Sequence, residues 1–166
     1  RGWLDLGEVK LIDATAAEVS ALQLRHGDVL FNEGGDRDKL GRGWVWSGEL
    51  PLIIHQNHVF RGRLTSADVQ PKLISWYANS AGQEYFLREA SQTTNLASIN
   101  ITKLGALPIP MPPAAEQAAL VRLISQALAR VDALMDIAVT GSKAIASAER
   151  ACLDAAFANP AEALHA

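Results

Sequence analysis

The stretch LPIPMPPAAEQAALVRLISQALAR, residues 107 to 130, decides how this chain folds, because two kinds of sequence meet in it. Four of the seven prolines lie between residues 107 and 113. Proline fixes φ and has no backbone N–H to donate, so this stretch is extended and ends any preceding sheet. Pro113 suits the start of a helix, and Glu116 suits its first turn. The sequence therefore predicts a Pro-rich linker over 108–113 and a helix from residue 114.

A seven-residue repeat of small and apolar residues runs through the segment after the linker. Its predicted seam consists of Leu120, Ile124, Ala127, Val131, Leu134, Ala138, Ile145, Ala148 and Cys152. A helix over 114–158 would be about 67 Å long at about 1.5 Å per residue, so the preceding domain is too small to bury its seam. The repeat therefore predicts a partner helix and a coiled coil.

Gly141 leaves two interpretations of this segment open. A glycine inside a helix costs about 1 kcal/mol relative to alanine, so two helices broken near Thr140 and Gly141 would form a hairpin. The heptad phase is the same on both sides of Gly141, and this favours one continuous helix over 114–158.

The region before the linker has the pattern of a mixed α/β domain. A turn and a strand are predicted over 27–31, a glycine-rich loop over 32–43 and a pair of strands over 43–64. Helices are predicted over 14–22 and over 71–90, the second with a break near Gly82. The predicted fold class is α+β, with the mixed α/β domain followed by a long, coiled-coil-forming C-terminal α-helix.

Composition limits the class of protein. The chain has 166 residues, of which 49% are hydrophobic and 20% charged, and this is typical of a globular protein. One cysteine, Cys152, cannot form an internal disulfide, which favours a reducing, cytoplasmic setting. No apolar run approaches the roughly 20 residues that span a bilayer, and no signal peptide is visible.

The charge of the chain is uneven. The net charge is −3, which argues against a protein that coats nucleic acid without specificity. Residues 37–63 nevertheless contain five basic and two acidic residues, a local net charge of +3. Ordinary surface scatter would also produce such a window, so the charge alone does not establish a binding face.

Signatures of catalysis are missing from the sequence. It contains no nucleophile elbow, no Walker A loop and no dinucleotide fingerprint. The segment MPPA at 111–114 lacks the polar first residue and the aromatic last residue of a DNA amino-methyltransferase motif. We therefore expect no catalytic residue, no metal ligand and no cofactor in this chain.

Recognition chemistry remains, because Asn and Gln pair with adenine, Arg pairs with guanine, and Thr and Lys hold phosphates. Residues of these types lie in three polar segments, over 32–43, 55–63 and 92–95. The candidate DNA-binding residues are Arg37, Lys39, Arg42, Gln56, Asn57, His58, Arg61, Arg63, Gln92, Thr93, Thr94 and Asn95. Each segment taken singly also has an ordinary interpretation as a strand end or a capped turn.

Taken together and in order, four segments resemble one family. They are GDVLFNEGG (27–35), IIHQNHVFRGR (53–63), QTTNLASINITKLGALPIPMPPAAEQ (92–117) and LDAAFANP (153–160). The chain is similar in these segments to the specificity (S) subunit of type I restriction-modification enzymes. The most specific part is the third segment, in which both the order and the spacing of the residues match.

The resemblance implies a target-recognition domain over 1–107, the linker over 108–113, a spacer helix over 114–158 and a tail over 159–166. It implies a non-catalytic subunit in which each recognition domain reads one half of a split site in double-stranded DNA. The spacers would pair as an antiparallel coiled coil that docks methyltransferase (M) subunits and, through the complex, restriction (R) subunits.

Base readout would fall to the 32–43 loop and to the HQNH segment, whereas 92–95 would brace these loops or contact phosphates. Family recognition domains begin upstream of the position matched by Arg1. The resemblance thus implies a C-terminal piece whose spacer lacks its usual partner and self-associates.

Two alternatives stay open. The chain could be a helical oligomerisation module whose α/β part does not bind DNA. It could also be the recognition end of a fused restriction-methylation enzyme, whose catalytic motifs would lie outside this chain.

Overall fold

The computed structural model describes residues 4–92 and 97–158, which divide into two compact units at Val121 and Arg122. The helices are α1 (Ala16–Leu22), α2 (Pro71–Ala78), α3 (Gly82–Glu89), α4 (Ile101–Gly105) and α5 (Ala114–Ala158). The strands are β1 (Val29–Asn32), β2 (Gly34–Gly35), β3 (Gly43–Val45), β4 (Val59–Gly62), β5 (Ser91–Gln92) and β6 (Ala97–Ser98). These elements confirm the predicted α+β class and the long C-terminal helix.

β1 is the central strand of the first sheet, with β3 and β4 antiparallel on either side of it. Its first three residues are buried, because Val29 and Phe31 face one apolar cluster and Leu30 faces another. A strand that is apolar on both faces is stabilised in the middle of a sheet. The predicted pairing of two strands within 43–64 is therefore wrong: β3 and β4 both pair with β1 and not with each other.

Helices α2 and α3 confirm the helical prediction over 71–90, including a break near Gly82, which is the first residue of α3. Their buried residues Ala78 and Phe86 pack with Phe31, Leu40 and Ile99 in the larger core cluster. The amide of Asn79 and the hydroxyl of Ser75 also bind the backbone of Gly43 at the start of β3. α2 and the residue that ends it therefore fix β3, and with it the end of the loop that precedes it.

The segment predicted as a loop over 32–43 contains β2 and a short 3-10 helix, Arg37–Lys39. β2 pairs with β6, which also pairs with β5, so a second small sheet forms beside the first. A Cβ on Gly34 would lie 3.0 Å from the carbonyl oxygen of Ala97, so a glycine lets the two backbones approach. The loop prediction missed this strand because its partner is more than 60 residues away in the chain.

α5 is one helix of 45 residues with Gly141 in its interior, so the continuous helix is confirmed and the hairpin alternative is wrong. Gln117 is buried near its start: its Oε1 accepts from the N–H of Gln70 at 2.9 Å and its Nε2 donates to the carbonyl of Pro112 at 2.9 Å. These bonds fix the first turns of α5 within the first unit. No helix of the described ranges is long and apolar enough to cross a membrane.

Candidate nucleic-acid interface

Two of the three predicted polar segments meet at one end of the first sheet. In β1, Asn32 is opposite Val59 and Phe31 is opposite Gly43, so the 33–42 loop and the 55–58 turn leave the sheet at the same edge. The N–H of Glu33 donates to the carbonyl of His58 at 3.0 Å and joins the two segments directly. We name this edge, formed by residues 33–42 and 55–58, the polar edge.

Backbone hydrogen bonds shape the loop of the polar edge. The N–H of Asn32 donates to the carbonyl of Arg42 at 3.1 Å, and the N–H of Gly41 donates to the carbonyl of Asn32 at 3.0 Å. Gly41 has φ +62° and lies against the ring of Phe86, so the left-handed conformation and the close approach both require a glycine. Main-chain hydrogen bonds and Gly41 thus give the loop a defined shape.

The loop carries three basic side chains on this backbone. Arg37 and Lys39 are exposed on the 3-10 helix, and Arg42 is half-buried beside β3. Lys39 forms an ion pair with Asp36, and its hydrogen bond and charge lower the pKa of that carboxyl. The loop therefore presents cations that are partly balanced, which suits hydrogen bonding at a defined position better than general attraction to DNA.

The 55–58 turn presents amides in a fixed setting. The N–H of Val59 donates to the carbonyl of Gln56 at 3.1 Å and closes the turn. Nδ1 of His58 lies 2.7 Å from Oε2 of Glu33, so the two segments are also joined through side chains. The side-chain amides of Gln56 and Asn57 are exposed and have no hydrogen-bond partner among the described residues. They are therefore available to form hydrogen bonds with a group outside the chain, such as the edge of a base.

The third segment reaches the same region through the second sheet. Ala97 of β6 is opposite both Gly35 of β2 and Gln92 of β5, and the N–H of Ile99 donates to the carbonyl of Glu33 at 2.8 Å. Gln92 is the last residue of β5. Thr93, Thr94 and Asn95 lie outside the described residues.

The two remaining candidates bind inside the domain. Nη1 of Arg61 donates to the carbonyls of Ala21 and Gln23 at 2.9 and 3.1 Å. Arg63 donates two hydrogen bonds to Asp28, from Nε to Oδ1 at 2.8 Å and from Nη2 to Oδ2 at 2.7 Å. The structure thus brings Arg37, Lys39, Arg42, Gln56, Asn57 and His58 together and places Arg63 at the opposite end of β1.

Burial would raise the pKa of Asp28, but its hydrogen bonds to Arg63 and to the N–H of Arg25, with the charges of Arg63 and Arg61, lower it overall. The same ion pair raises the pKa of Arg63. Both groups therefore stay charged near neutral pH, and Arg63 acts as an internal brace.

Sequence reasoning missed Glu33, which joins the loop to the turn. Its signal was its place between the apolar run of β1 and the glycines of β2, where a polar side chain emerges at a strand end. Across the described ranges, no three His, Cys, Asp or Glu side chains come together to hold a metal ion.

Comparison with known proteins gives two matches of one kind. The chain is 24% identical over 114 residues to the MjaX type I restriction enzyme specificity subunit of Methanocaldococcus jannaschii. It is 26% identical over 131 residues to the StySPI type I restriction enzyme specificity subunit of Salmonella potsdam. The matches cover 68% and 78% of this chain but only 27% and 28% of those proteins. No protein-family model matches the sequence. These matches confirm the resemblance to specificity subunits of type I restriction enzymes.

Proposed function

We propose that this chain is a DNA-recognition piece of a type I restriction-modification system and reads one half of a bipartite site in double-stranded DNA. The observation that carries the proposal is the polar edge, where two separate segments of the chain present amides and cations from a hydrogen-bonded backbone. The similarity to specificity subunits supports it. In this proposal the chain has no catalysis of its own and acts in the cytoplasm.

We assign different tasks to the residues of the polar edge. Gln56 and Asn57 read bases, because their exposed amides can make the paired hydrogen bonds that identify adenine. Arg37, Lys39 and Arg42 position the duplex or contact guanine, and residues 92–95 contact phosphates or brace the loop. Arg61 and Arg63 support the edge from inside the domain.

The proposed domain division is a recognition domain over 1–107, a linker over 108–113, a spacer helix over 114–158 and a tail over 159–166. The spacer pairs with a second spacer helix and scaffolds M subunits, which bring R subunits into the complex. Its exposed apolar side chains support this role, since Val131, Leu134 and Ile145 of the seam are 47%, 66% and 63% exposed. Exposed apolar side chains that recur along one face of a helix mark a surface for another protein or helix.

The seam itself favours an antiparallel pair of two copies of this helix. We align two copies about Asp136, the middle residue of α5. Each layer then joins an a position to a d position and, except for one layer with a cysteine, a large side chain to a small one. The layers are Leu120 with Cys152, Ile124 with Ala148, Ala127 with Ile145, Val131 with Gly141, and Leu134 with Ala138. A parallel pair would instead place each seam residue against its own copy, large against large and small against small, with an uneven spacing between the helices.

A second candidate function is oligomerisation alone, and the exposed seam of α5 supports it without any role for the polar edge. DNA binding distinguishes the two candidates. The test selects sequences bound by the full chain, alone and with M subunits, from a pool of random duplexes. We expect an enriched motif and a binding constant that falls steeply as salt rises.

Variants of the polar edge sharpen this test. Asn57→Ala is expected to lower discrimination at one base pair by about 5- to 150-fold, because a bidentate contact contributes about 1–3 kcal/mol. Gln126→Ala, an exposed amide on α5, is the matched control and should leave discrimination unchanged. Failure of the unaltered chain to bind duplex DNA in either form would leave oligomerisation as the function.

A further inference from the structure

A cavity of about 310 Å³ opens at the end of β1 that is opposite the polar edge. It is lined by Arg25, His26, Gly27, Asp28 and Arg63, with apolar residues of the segment 64–71 on its other side. Nothing in the proposed function uses this cavity. We name it the basic pocket.

Hydrogen bonds define the turn on one side of the basic pocket. The carboxylate of Asp28 accepts from the N–H of Arg25 at 2.7 Å, and the N–H of Asp28 donates to the carbonyl of Arg25 at 3.0 Å. Gly27 has φ +87°, and its N–H donates to the carbonyl of Trp46 at 2.8 Å. Arg25 and His26 are therefore held on the lip of the pocket by the backbone.

The charges of the basic pocket do not cancel. Asp28 is its one carboxylate and is bound on both oxygens by Arg63. The side chains of Arg25 and His26 are exposed and have no hydrogen bond or ion pair among the described residues. Nη1 of Arg63 donates to no group in the described part of the chain, so unused donors line a concave site with one surplus positive charge.

We infer that the basic pocket binds a phosphate of the DNA backbone beside the half-site read by the polar edge. A non-bridging phosphate oxygen accepts single hydrogen bonds from several donors, which matches what Arg25, His26 and Nη1 of Arg63 offer. β1 has four residues and spans about 13 Å at about 3.3 Å per residue, so both ends of the sheet fall within one turn of duplex, about 34 Å. This inference rests on the proposed function and extends its footprint.

The test measures the salt dependence of duplex binding by the full chain. Arg25→Ala is expected to weaken binding to all sequences and to reduce the slope of log K against log salt by about 0.9, the value for one phosphate contact. The affinity lost between 50 and 200 mM salt would then be about 3-fold smaller than for the unaltered chain. Arg122→Ala, an exposed arginine of α5, is the control and should keep the slope.

A titration with inorganic phosphate, followed by the amide resonance of Gly27, distinguishes a site for a DNA phosphate from a site that binds only free phosphate. Saturable shifts that disappear in Arg25→Ala, together with the reduced slope, would support the inference. Saturable shifts with an unchanged slope would mean an adventitious ion only and would overturn it. Sequence-selective DNA binding without phosphate shifts and without a reduced slope would overturn the inferred phosphate site and leave the proposed function standing. No DNA binding at all would overturn both the phosphate site and the proposed function.

Discussion

Gly41 is the residue on which the shape of the polar edge most depends. Its φ of +62° disfavours any side chain, and a Cβ would lie 2.3 Å from ring carbons of Phe86. Gly41→Ala should therefore lower the free energy of unfolding by about 2–4 kcal/mol, from backbone strain and overpacking together. Urea denaturation followed by tryptophan fluorescence measures this change.

Gly105→Ala is the matched control, because a Cβ there meets nothing within 4 Å and the backbone does not have positive φ. Its effect should stay within about 0.5 kcal/mol. Equal stability of the two variants would mean that the loop moves away from Phe86 at little cost, and the polar edge would then lack the fixed shape assigned to it.

Asp28 makes stability depend on acid pH. Its pKa is lower in the folded chain than in the unfolded one, so its contribution is present above the unfolded pKa of about 3.9 and is lost as pH falls through the folded value. Asp28→Asn should cost about 2–3 kcal/mol at pH 7, less than for a fully buried pair because Arg63 keeps 32% of its side chain exposed.

Urea denaturation at pH 7, 5 and 3 measures this effect. The loss of stability between pH 5 and pH 3 should be smaller in Asp28→Asn than in the unaltered chain. Asp154→Asn, on the exposed end of α5, should keep the full pH dependence. An unchanged pH profile in Asp28→Asn would show that the ion pair between Asp28 and Arg63 does not stabilise the fold.

Residue types alone predicted that the amides of Gln56 and Asn57 would be exposed to solvent in a polar segment, but not the internal role of Arg61 and Arg63. The partners of these arginines, Asp28 and the carbonyls of Ala21 and Gln23, are between 35 and 40 residues away in the chain. Such long-range contacts follow from the strand order, which the local sequence does not contain. Exposed polar residues in a turn, such as Asn57, are easier to predict because their environment is solvent.

At the scale of elements, α5 and the pair α2–α3 could be predicted because their periodicity and their proline and glycine boundaries are local. The partner of each strand could not be predicted from the sequence. Alternation and β-rich composition mark β3 and β4 but do not say that β1 lies between them. The two-residue strands of the second sheet are set wholly by tertiary contacts and leave no periodic pattern.

Gln117 holds the first turns of α5, which belong to the first unit, through two hydrogen bonds of its buried side chain. Gln117→Ala would leave the N–H of Gln70 and the carbonyl of Pro112 without these partners, so we expect a loss of about 1–2 kcal/mol in unfolding free energy. Urea denaturation followed by tryptophan fluorescence measures this loss. Gln126→Ala removes an exposed amide from the same helix and should change stability by less than about 0.5 kcal/mol. Matching losses in the two variants would show that the buried bonds do not anchor the helix.

At the scale of the whole molecule, we expect the chain to dimerise through α5. Leu134→Lys should weaken dimerisation at least about 100-fold, since two copies of the leucine leave the interface and each contributes about 1.5–3 kcal/mol. Light scattering over a concentration series measures this change. Ala129→Lys adds the same charge to the opposite side of the helix and should leave the mass unchanged. A monomer in every form would contradict the pairing.

Cys152, which is exposed, reports the direction of the pair. In the antiparallel alignment it faces Leu120 of the other copy, so mild oxidation of the unaltered chain should give no covalent dimer. Leu120→Cys should allow cross-linking, because the new cysteine faces Cys152 of the other copy. Rapid cross-linking of the unaltered chain through Cys152 alone would instead indicate parallel helices.

The backbone of the polar edge lets exposed side chains of its loop be substituted during evolution. Main-chain bonds and one glycine hold its loop, whereas Arg37 and Lys39 take no part in those bonds through their side chains. Substitutions at these outward positions can therefore accumulate at little cost to folding, because the backbone they leave behind keeps its course. Under the proposed function, new target sequences are therefore reached by exchanging a few side chains on a backbone that stays the same.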